Sequence, residues 1–379
     1  MKEAEIVKHP EFPHVTWDLP PAEKGKLAVA RGRGGPFNIA YEVHGHGPIH
    51  MLWIMGLGSL KTTWQRQTKD FGHDRSSEFS CLVLDNRGMG ESDKPYLRYS
   101  TREMAKDTIE VLDHVGWTGE REVHVTGISM GGMIAQELVG HSLRIPNQAQ
   151  HLTPRQGLLI PKRVASLTLL STAARIVNTV VRSLLRFSLL LTGSSGQDQQ
   201  RRPLQGYLEN LRNRINMLIP KAIDEQVAHM KYLCFSDAFL ASPDNDGNFP
   251  TNGDRFAAQE ILKRKDPNNF PRHGFLLQVI AAGYHHKSAT QLRELRHKVG
   301  RERIQVVHGS LDRMISLPHA EVLIKELGGP NEVRYVVFEG VGHVIPMESR
   351  QEFKQLMLDF IEKTRALDAK DALNGGAGP

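Results

Sequence analysis

Short apolar runs, separated by longer and more polar stretches, follow one another along the first and last parts of this chain. Runs of this kind predict buried β-strands, and they occur at residues 51–55, 81–85, 123–128, 165–170, 303–308 and 332–338. After the third run, Met133, Ile134 and Leu138 are spaced as on one face of a helix. Strands that alternate with helices indicate an α/β protein with a doubly wound, mostly parallel sheet.

The strand pattern gives way to helical segments between residues 172 and 298. These segments lie at residues 207–218, 222–234, 255–265 and 272–282, with turn-forming sequences at 242–247 and 266–269. A helical insertion into the sheet domain is therefore predicted. The expected division is an N-terminal extension at 1–24, a core at 25–172 and 299–365, a cap at 173–298 and a flexible tail at 366–379.

A single GxSxG pentapeptide stands where the strand at 123–128 becomes a helix, with Ser129 at its centre. Glycines on both sides of a serine allow the chain to reverse tightly without side-chain collisions. The turn exposes the hydroxyl and places it at the start of a helix, where backbone N–H groups favour negative charge. A serine hydroxyl is a poor nucleophile until a base takes its proton, so this interpretation requires a histidine and a carboxylate downstream.

Candidates for both partners follow later strands. Asp312 comes just after the strand at 303–308, and His343 comes after the strand at 332–338 in the sequence Gly-Val-Gly-His. Because the carboxyl ends of parallel strands lie along one edge of a sheet, Ser129, Asp312 and His343 are expected to converge there. Turn formation is a competing explanation for Asp312, because aspartate is favoured in turns. The chain has 18 histidines, so a single histidine is usually a surface or core residue.

The order Ser, Asp, His, each after a strand, resembles the α/β-hydrolase fold superfamily. Further landmarks carry the resemblance: an apolar strand ending in Gly56-Leu57-Gly58, a DxRGxGxS match at 85–92, and a PxRV match at 161–164. In the first of these, Met55 stands where a histidine is usual in the family. The resemblance implies an oxyanion hole formed by the backbone N–H groups of Leu57 and Met130, and it implies a cap that walls the substrate pocket.

These features together predict a cofactor-free serine hydrolase of the esterase type, acting on a carboxylic ester or related acyl compound. His343 would take the proton of Ser129 during attack, and Asp312 would orient the imidazole. Serine at position 129 argues against epoxide hydrolases and haloalkane dehalogenases, which use a carboxylate nucleophile. Carbon–carbon bond hydrolases, perhydrolases, acyltransferases and a non-catalytic ligand-binding homologue on the same fold remain alternatives.

Composition and charge limit the compartment, the cofactors and the partners that can be expected of this chain. Two cysteines imply no disulfide framework, and there is neither a signal-peptide pattern nor an apolar run of membrane-spanning length, so a cytoplasmic protein is expected. The histidines show no metal-ligand spacing, and no phosphate-binding loop is present. Most of the net charge of +6 lies in residues 141–160 and 181–205, which argues against a nucleic-acid groove. The expected partner is a small, apolar acyl substrate.

Two segments depart from the spacing of landmarks that is usual in the family that the chain resembles. Residues 140–158 interrupt the path from the nucleophile helix to the next strand, and residues 181–205 include a low-complexity stretch between arginine-rich flanks. Both are interpreted as surface-loop insertions or as translated non-coding sequence. Residues 180–191 could instead form an amphipathic membrane-surface helix, although membrane contact is not the favoured interpretation.

Overall fold

A computed structural model describes residues 1–139, 160–176, 213, 216, 219 and 221–375 of the chain. Its centre is an eight-stranded sheet with the order β1-β2-β4-β3-β5-β6-β7-β8. The strands are β1 Glu23–Val29, β2 Phe37–His44, β3 Ile49–Ile54, β4 Phe79–Leu84, β5 Val123–Ile128, β6 Val164–Leu170, β7 Ile304–Gly309 and β8 Arg334–Phe338. Pairing is antiparallel from β1 to β2 and from β2 to β4, and parallel between all other neighbours. The predicted mostly parallel sheet is confirmed.

From β3 onward the helices alternate with the strands as predicted, whereas β1, β2 and β3 follow one another directly. The helices are α1 Glu3–Ile6, α2 Gln65–Gln67, α3 Thr101–His114, α4 Met130–Val139, α5 Ile223–Cys234, α6 Asp237–Ala241, α7 Asn252–Lys265, α8 Arg272–Gly283, α9 Ala289–Val299, α10 Leu317–Leu327, α11 Ile345–Glu348 and α12 Arg350–Gly375. Short 3-10 turns lie at Phe12–His14, Lys61–Trp64, Pro161–Arg163 and Arg301–Arg303, and a π-helical turn lies at Thr68–His73. None of the helices in these described ranges combines the length and the apolar composition of a membrane-spanning segment.

Burial on both faces explains why the central strands are almost wholly apolar. Every residue of β5, β6 and β7 is buried, which is the pattern of a parallel sheet covered by helices on both sides. Val125 of β5 pairs with Leu52 of β3 on one side and with Leu167 of β6 on the other. The register aligns the carboxyl ends of these strands, where the predicted site residues follow.

Two apolar layers hold the helices to the sheet. One layer joins the sheet to α3, α4, α9 and α10. The other joins the opposite face to α12, in which Phe353, Met357 and Ile361 pack near Trp53 and Phe71. Burying a side chain of this size contributes about 1.5–3 kcal/mol, so the final helix is an integral part of the core.

The described part of the insertion between β6 and β7, residues 221–283, is helical and lies over the carboxyl edge of the sheet. Two close contacts place it there: Gly274 touches Gly88, and Cys234 touches Gly342. The N-terminal segment packs on its outer side, with Ile6 beside the apolar residues of α7. The insertion is therefore held between the sheet edge and the start of the chain.

Two predicted boundaries are wrong. Helix α9, which the sequence division places in the cap, packs against β6 and α10 through Leu292, Leu295 and Val299, so the insertion over the sheet edge ends before it. Helix α12 continues to Gly375, and residues 366–375 are therefore helical rather than a flexible tail. The segments 140–158 and 181–205 lie outside the described residues, as does most of the predicted helix at 207–218.

Candidate active site

Ser129 occupies a sharp turn between β5 and α4, as predicted from the pentapeptide. Its φ of +57° is unusual for a residue with a side chain, and such strain is typical of functional positions. A Cβ at Gly127 would collide with the carbonyl of Gly131, and a Cβ at Gly131 would collide with the carbonyl of Ile54. Only glycine fits at these two positions without a steric clash. The turn leaves the Ser129 side chain partly exposed to solvent.

Two backbone N–H groups, those of Leu57 and Met130, lie beside this turn. Gly56 lies against Ser129, since a Cβ built on that glycine would be 3.0 Å from the serine Cβ. Leu57 follows in the same loop, and Met130 begins helix α4. Within the described part of the chain, neither the Leu57 N–H nor the Met130 N–H donates to another group.

A buried glutamine from the insertion holds the loop that contains Leu57. The Gly58 N–H donates to Gln278 Oε1 at 2.9 Å, and Gln278 Nε2 donates to the carbonyl of Arg87 at 3.0 Å. Gln278 is completely buried in α8. Gly58 itself has a φ of +63°, a conformation that favours glycine. Sequence reasoning missed Gln278, because nothing in the local pattern of a helix indicates a contact 220 residues away.

Asp312 and His343 form a buried hydrogen-bonded pair, as predicted. His343 Nδ1 lies 2.7 Å from Asp312 Oδ2, while Asp312 Oδ1 accepts the N–H groups of Met314 and Ile315 at 2.9 and 2.8 Å. Burial alone would raise the pKa of the Asp312 carboxyl, but the imidazoles of His343 and His308 outweigh burial and lower that pKa well below its usual range. The carboxylate therefore stays ionised and can orient the imidazole.

His308 is a second histidine on the same carboxylate, and its role could not be assigned from the sequence. It is the last residue but one of β7 and is fully buried. Its Nε2 lies 2.6 Å from the carbonyl of Ile315 and 3.2 Å from Asp312 Oδ2. Because a carbonyl only accepts hydrogen bonds, Nε2 must carry the proton. His308 thus ties the Asp312 loop to the end of its strand.

The insertion also holds the loop of His343. The His343 N–H donates to the carbonyl of Cys234 at 2.8 Å, where α5 ends. The preceding N–H, that of Gly342, donates to Glu348 Oε2 at 3.0 Å, and Glu348 also accepts the hydroxyl of Ser236. Burial raises the pKa of Glu348 above its usual value. Elements on both sides of the sheet edge therefore fix the position of the imidazole.

The structure brings the predicted site residues to one edge, but it does not join all of them. Ser129, Asp312 and His343 follow β5, β7 and β8, which lie in the parallel part of the sheet. Among the described residues, the Ser129 hydroxyl makes no hydrogen bond to His343. Catalytic hydrogen bonds are often long in free enzymes and tighten when substrate binds.

No group of histidine, cysteine and carboxylate side chains within the described ranges could hold a metal ion.

Comparisons with known proteins agree with this architecture. Residues 50–349 match the family model described as alpha/beta hydrolase fold. The chain is 25% identical, over 87% of its length and 68% of the relative's, to the dihydrolipoyllysine-residue acetyltransferase component of an acetoin cleaving system from Pseudomonas putida. It is 32% identical to a putative carbamate hydrolase, RutD, from Azorhizobium caulinodans, over 32% of this chain and 41% of the relative.

Solved structures show the same fold. A thermophilic esterase from Thermogutta terrifontis superposes with a TM-score of 0.59 at 19% identity, over 90% of this chain and 99% of the esterase. A hydrolase from Pseudomonas aeruginosa superposes with a TM-score of 0.58 at 19% identity, over 90% of this chain and 99% of that one. The family match covers most of the described core, and the chain belongs to the alpha/beta hydrolase fold family.

Proposed function

We propose that this hydrolase is a cofactor-free serine esterase that cleaves a carboxylic ester or a related acyl compound through an acyl-enzyme. The observation that carries the proposal is the buried pair of His343 and Asp312, placed at the same sheet edge as a serine in a strained, accessible turn. A carboxylate bound to Nδ1 leaves Nε2 as the acceptor for the proton of the serine.

The reaction follows from these positions. Ser129 Oγ attacks the acyl carbon while His343 Nε2 takes the hydroxyl proton, and Asp312 stabilises the imidazolium that forms. The oxyanion is bound by the N–H groups of Leu57 and Met130, and losing one donor of this kind costs on the order of 3 kcal/mol. His343 then gives its proton to the leaving alcohol. Water, activated by the same imidazole, releases the acid and restores Ser129.

Met55 in place of the family's usual histidine does not weaken this proposal. The donors in question are backbone N–H groups, which survive changes of side chain. Asn86 Nδ2 donates to the carbonyl of Met55 at 3.0 Å, and the Met55 side chain is buried in the apolar layer around β3. The loop that follows is thus anchored at its start by Asn86 and at its end by Gln278.

The test is a panel of p-nitrophenyl esters with acyl chains of increasing length. Wild-type protein is expected to release p-nitrophenol with a preference among the chains, while Ser129→Ala loses turnover. A matched control is Ser77→Ala, because Ser77 is an exposed serine in the turn before β4. Equal turnover by wild type and Ser129→Ala would rule out the proposed nucleophile.

Acyl transfer is the second candidate function, since the relative from Pseudomonas putida is named as an acetyltransferase component. The same serine and histidine would form the acyl-enzyme, and an alcohol or thiol would then replace water as the attacking group. Product analysis with a thiol acceptor added to the ester assay distinguishes the two. Thioester as the main product supports transfer, and free acid supports hydrolysis.

A further inference from the structure

The C-terminal end of helix α5, residues 232–236, lies directly against the loop between β8 and α11 that carries His343. These two segments are called the α5 end and the base loop here. The carbonyl of Cys234 accepts two successive main-chain hydrogen bonds, from the N–H of His343 at 2.8 Å and from that of the next residue at 3.2 Å. The approach is close, since a Cβ built on Gly342 would be 2.6 Å from the same carbonyl oxygen. The α5 end therefore fixes one side of the base loop.

The α5 end also contacts the loop that carries Asp312. Arg313, the neighbour of Asp312, donates from Nη1 to the carbonyl of Tyr232 at 3.0 Å and to that of Phe235 at 3.3 Å. Its guanidinium also lies 4.6 Å from the centre of the Tyr232 ring, a distance at which a cation is attracted to an aromatic face. The acid and the base of the proposed site are therefore both held by one short piece of the insertion.

Glu348 is the side chain that joins the base loop to the α5 end. Its Oε2 accepts the Gly342 N–H at 3.0 Å, while its Oε1 accepts the hydroxyl of Ser236 and, at 3.3 Å, the Ser236 N–H. The hydroxyl oxygen of Ser236 in turn accepts the Phe239 N–H at 3.2 Å, at the start of α6, so its proton points to the glutamate. Each of these partners of Glu348 is thus a donor, and Ser236 is only 5% exposed.

Loss of the Glu348 carboxylate would leave donors on both sides of this contact without an acceptor. Buried donors seldom stay unpaired, so the base loop or the α5 end would move until these donors reach water or another acceptor. The Gly342 N–H lies one residue before His343 in the chain, and such a movement would therefore displace the imidazole. Displacing a catalytic group by about 1 Å can cost about 100-fold in rate.

We propose that Glu348 is a positioning residue for the base: it holds the main chain before His343 where Nε2 can reach Ser129, and through Ser236 it makes that position depend on the insertion. The assignment rests on the proposed function. Glu348 acts through the Gly342 N–H and takes no part in bond making or breaking. The insertion then contributes to proton transfer as well as lying over the sheet edge.

The experiment compares Glu348→Leu with Glu348→Gln on one p-nitrophenyl ester. Leucine has no acceptor, whereas glutamine keeps an oxygen for the Gly342 N–H and an amide that can hydrogen-bond Ser236. We expect Glu348→Leu to lower kcat about 10- to 100-fold, which corresponds to about 1.4–2.7 kcal/mol, with KM changed less than threefold. Glu348→Gln should keep kcat within about threefold of wild type. Glu362→Leu is the matched control, because Glu362 is an exposed glutamate on α12, and it should behave as wild type.

Two further readouts follow the imidazole itself. Labelling of Ser129 by a fluorophosphonate depends on the same base, so its rate should fall with kcat in Glu348→Leu. The proton on His343 Nδ1, hydrogen-bonded to Asp312 over 2.7 Å, should give a far-downfield proton NMR signal that is absent in His343→Ala. We expect this signal to shift or broaden in Glu348→Leu and to stay in place in Glu348→Gln and Glu362→Leu. A residue that only stabilises the fold would lower the melting temperature without moving the signal.

Ser236→Ala tests the other end of the contact and remains informative if Glu348→Leu does not fold. It removes the hydroxyl from Glu348 but leaves the bond from the Gly342 N–H in place, so kcat should fall about three- to tenfold, less than on loss of the carboxylate. Ser288→Ala is its control. The Ser288 hydroxyl likewise accepts a backbone N–H at the start of a helix, α9, and its removal should leave kcat unchanged.

A fall in kcat in Glu348→Leu that glutamine reverses, together with the NMR change, supports the assignment. If kcat, the labelling rate and the downfield signal of Glu348→Leu match wild type, the assignment is overturned; Ser236→Ala decides in the same way if Glu348→Leu does not fold. The proposed function stands in that case, provided that wild type hydrolyses esters and Ser129 reacts with the probe. If wild type does neither, the proposed function fails, and the downfield signal alone decides whether Glu348 holds the imidazole.

Discussion

Replacing Gln278 with methionine should impair catalysis more than it impairs substrate binding. Methionine fills a similar volume but cannot accept the Gly58 N–H or donate to the carbonyl of Arg87. Because Gln278 is completely buried, both groups lose their partners in a place that water does not readily reach. The loop that carries the Leu57 donor would then be free to rotate away from the oxyanion.

The size of the effect can be bounded from both sides. An unsatisfied buried polar group costs about 1–3 kcal/mol, and loss of a whole oxyanion donor costs about 2.7–4 kcal/mol in the transition state. A loosened donor should fall below that upper bound. We therefore expect kcat on p-nitrophenyl esters to fall about 10- to 100-fold, which corresponds to about 1.4–2.7 kcal/mol, with KM changed less than threefold.

The assay measures kcat, KM and melting temperature for Gln278→Met, with Gln278→Glu and Gln355→Met beside it. The glutamate variant keeps an acceptor for the Gly58 N–H and should recover part of kcat. Gln355 lies exposed on α12, far from the loop, and its variant should behave as wild type. If Gln278→Met lowers the melting temperature while kcat stays within twofold of wild type, Gln278 only stabilises the fold. Its proposed role in positioning the Leu57 N–H would then be wrong.

Three further results are expected. Asp312→Asn should lower kcat about 10⁴-fold, because an amide stabilises the wrong imidazole tautomer; steady-state kinetics on one ester checks this, and a loss below tenfold would contradict it. The pKa of Asp312 is lower in the folded state than in the unfolded state. Its contribution to stability should therefore be complete above the unfolded-state pKa of about 3.9 and should disappear as the pH falls toward the folded-state pKa. Urea midpoints measured from pH 5 to pH 3 should fall more steeply in wild type than in Asp312→Asn. Gly131→Ala should destabilise the protein by about 3 kcal/mol or prevent folding, since its Cβ would meet the Ile54 carbonyl; an unchanged urea midpoint would count against the packing described for the turn.

Local sequence signals predict strands β3 to β8 and the turn or strand end that precedes each candidate site residue, whereas β1 and β2 were not predicted. The turn around Ser129 is specified by its own glycines, and Asp312 and His343 each follow a strand that is visible as an apolar run. These features depend on neighbours within a few residues. Their convergence follows from the parallel sheet, whose strands end along one edge.

Contacts between distant segments could not be predicted in the same way. Gln278 and Cys234 form hydrogen bonds with partners more than a hundred residues away. The contacts of His308 with Asp312 and Ile315 depend on the conformation of the loop after β7, which a single histidine in the sequence does not indicate. Helix α9 follows the insertion helices with no intervening strand, and its packing against β6 separates it from them. At the C-terminal end, the glycines after residue 374 suggested a tail, but the preceding alanines and leucines favour helix.

The assignment of Ser129 as the nucleophile is tested most directly by labelling with a fluorophosphonate probe, followed by intact-mass and peptide mass spectrometry. One adduct per chain is expected, on the peptide that contains Ser129. Labelling should be absent in Ser129→Ala and strongly slowed in His343→Ala, while Ser77→Ala should react at the wild-type rate. An adduct that persists in Ser129→Ala, or a folded wild-type protein that never reacts, would contradict the assignment of Ser129 as an activated nucleophile.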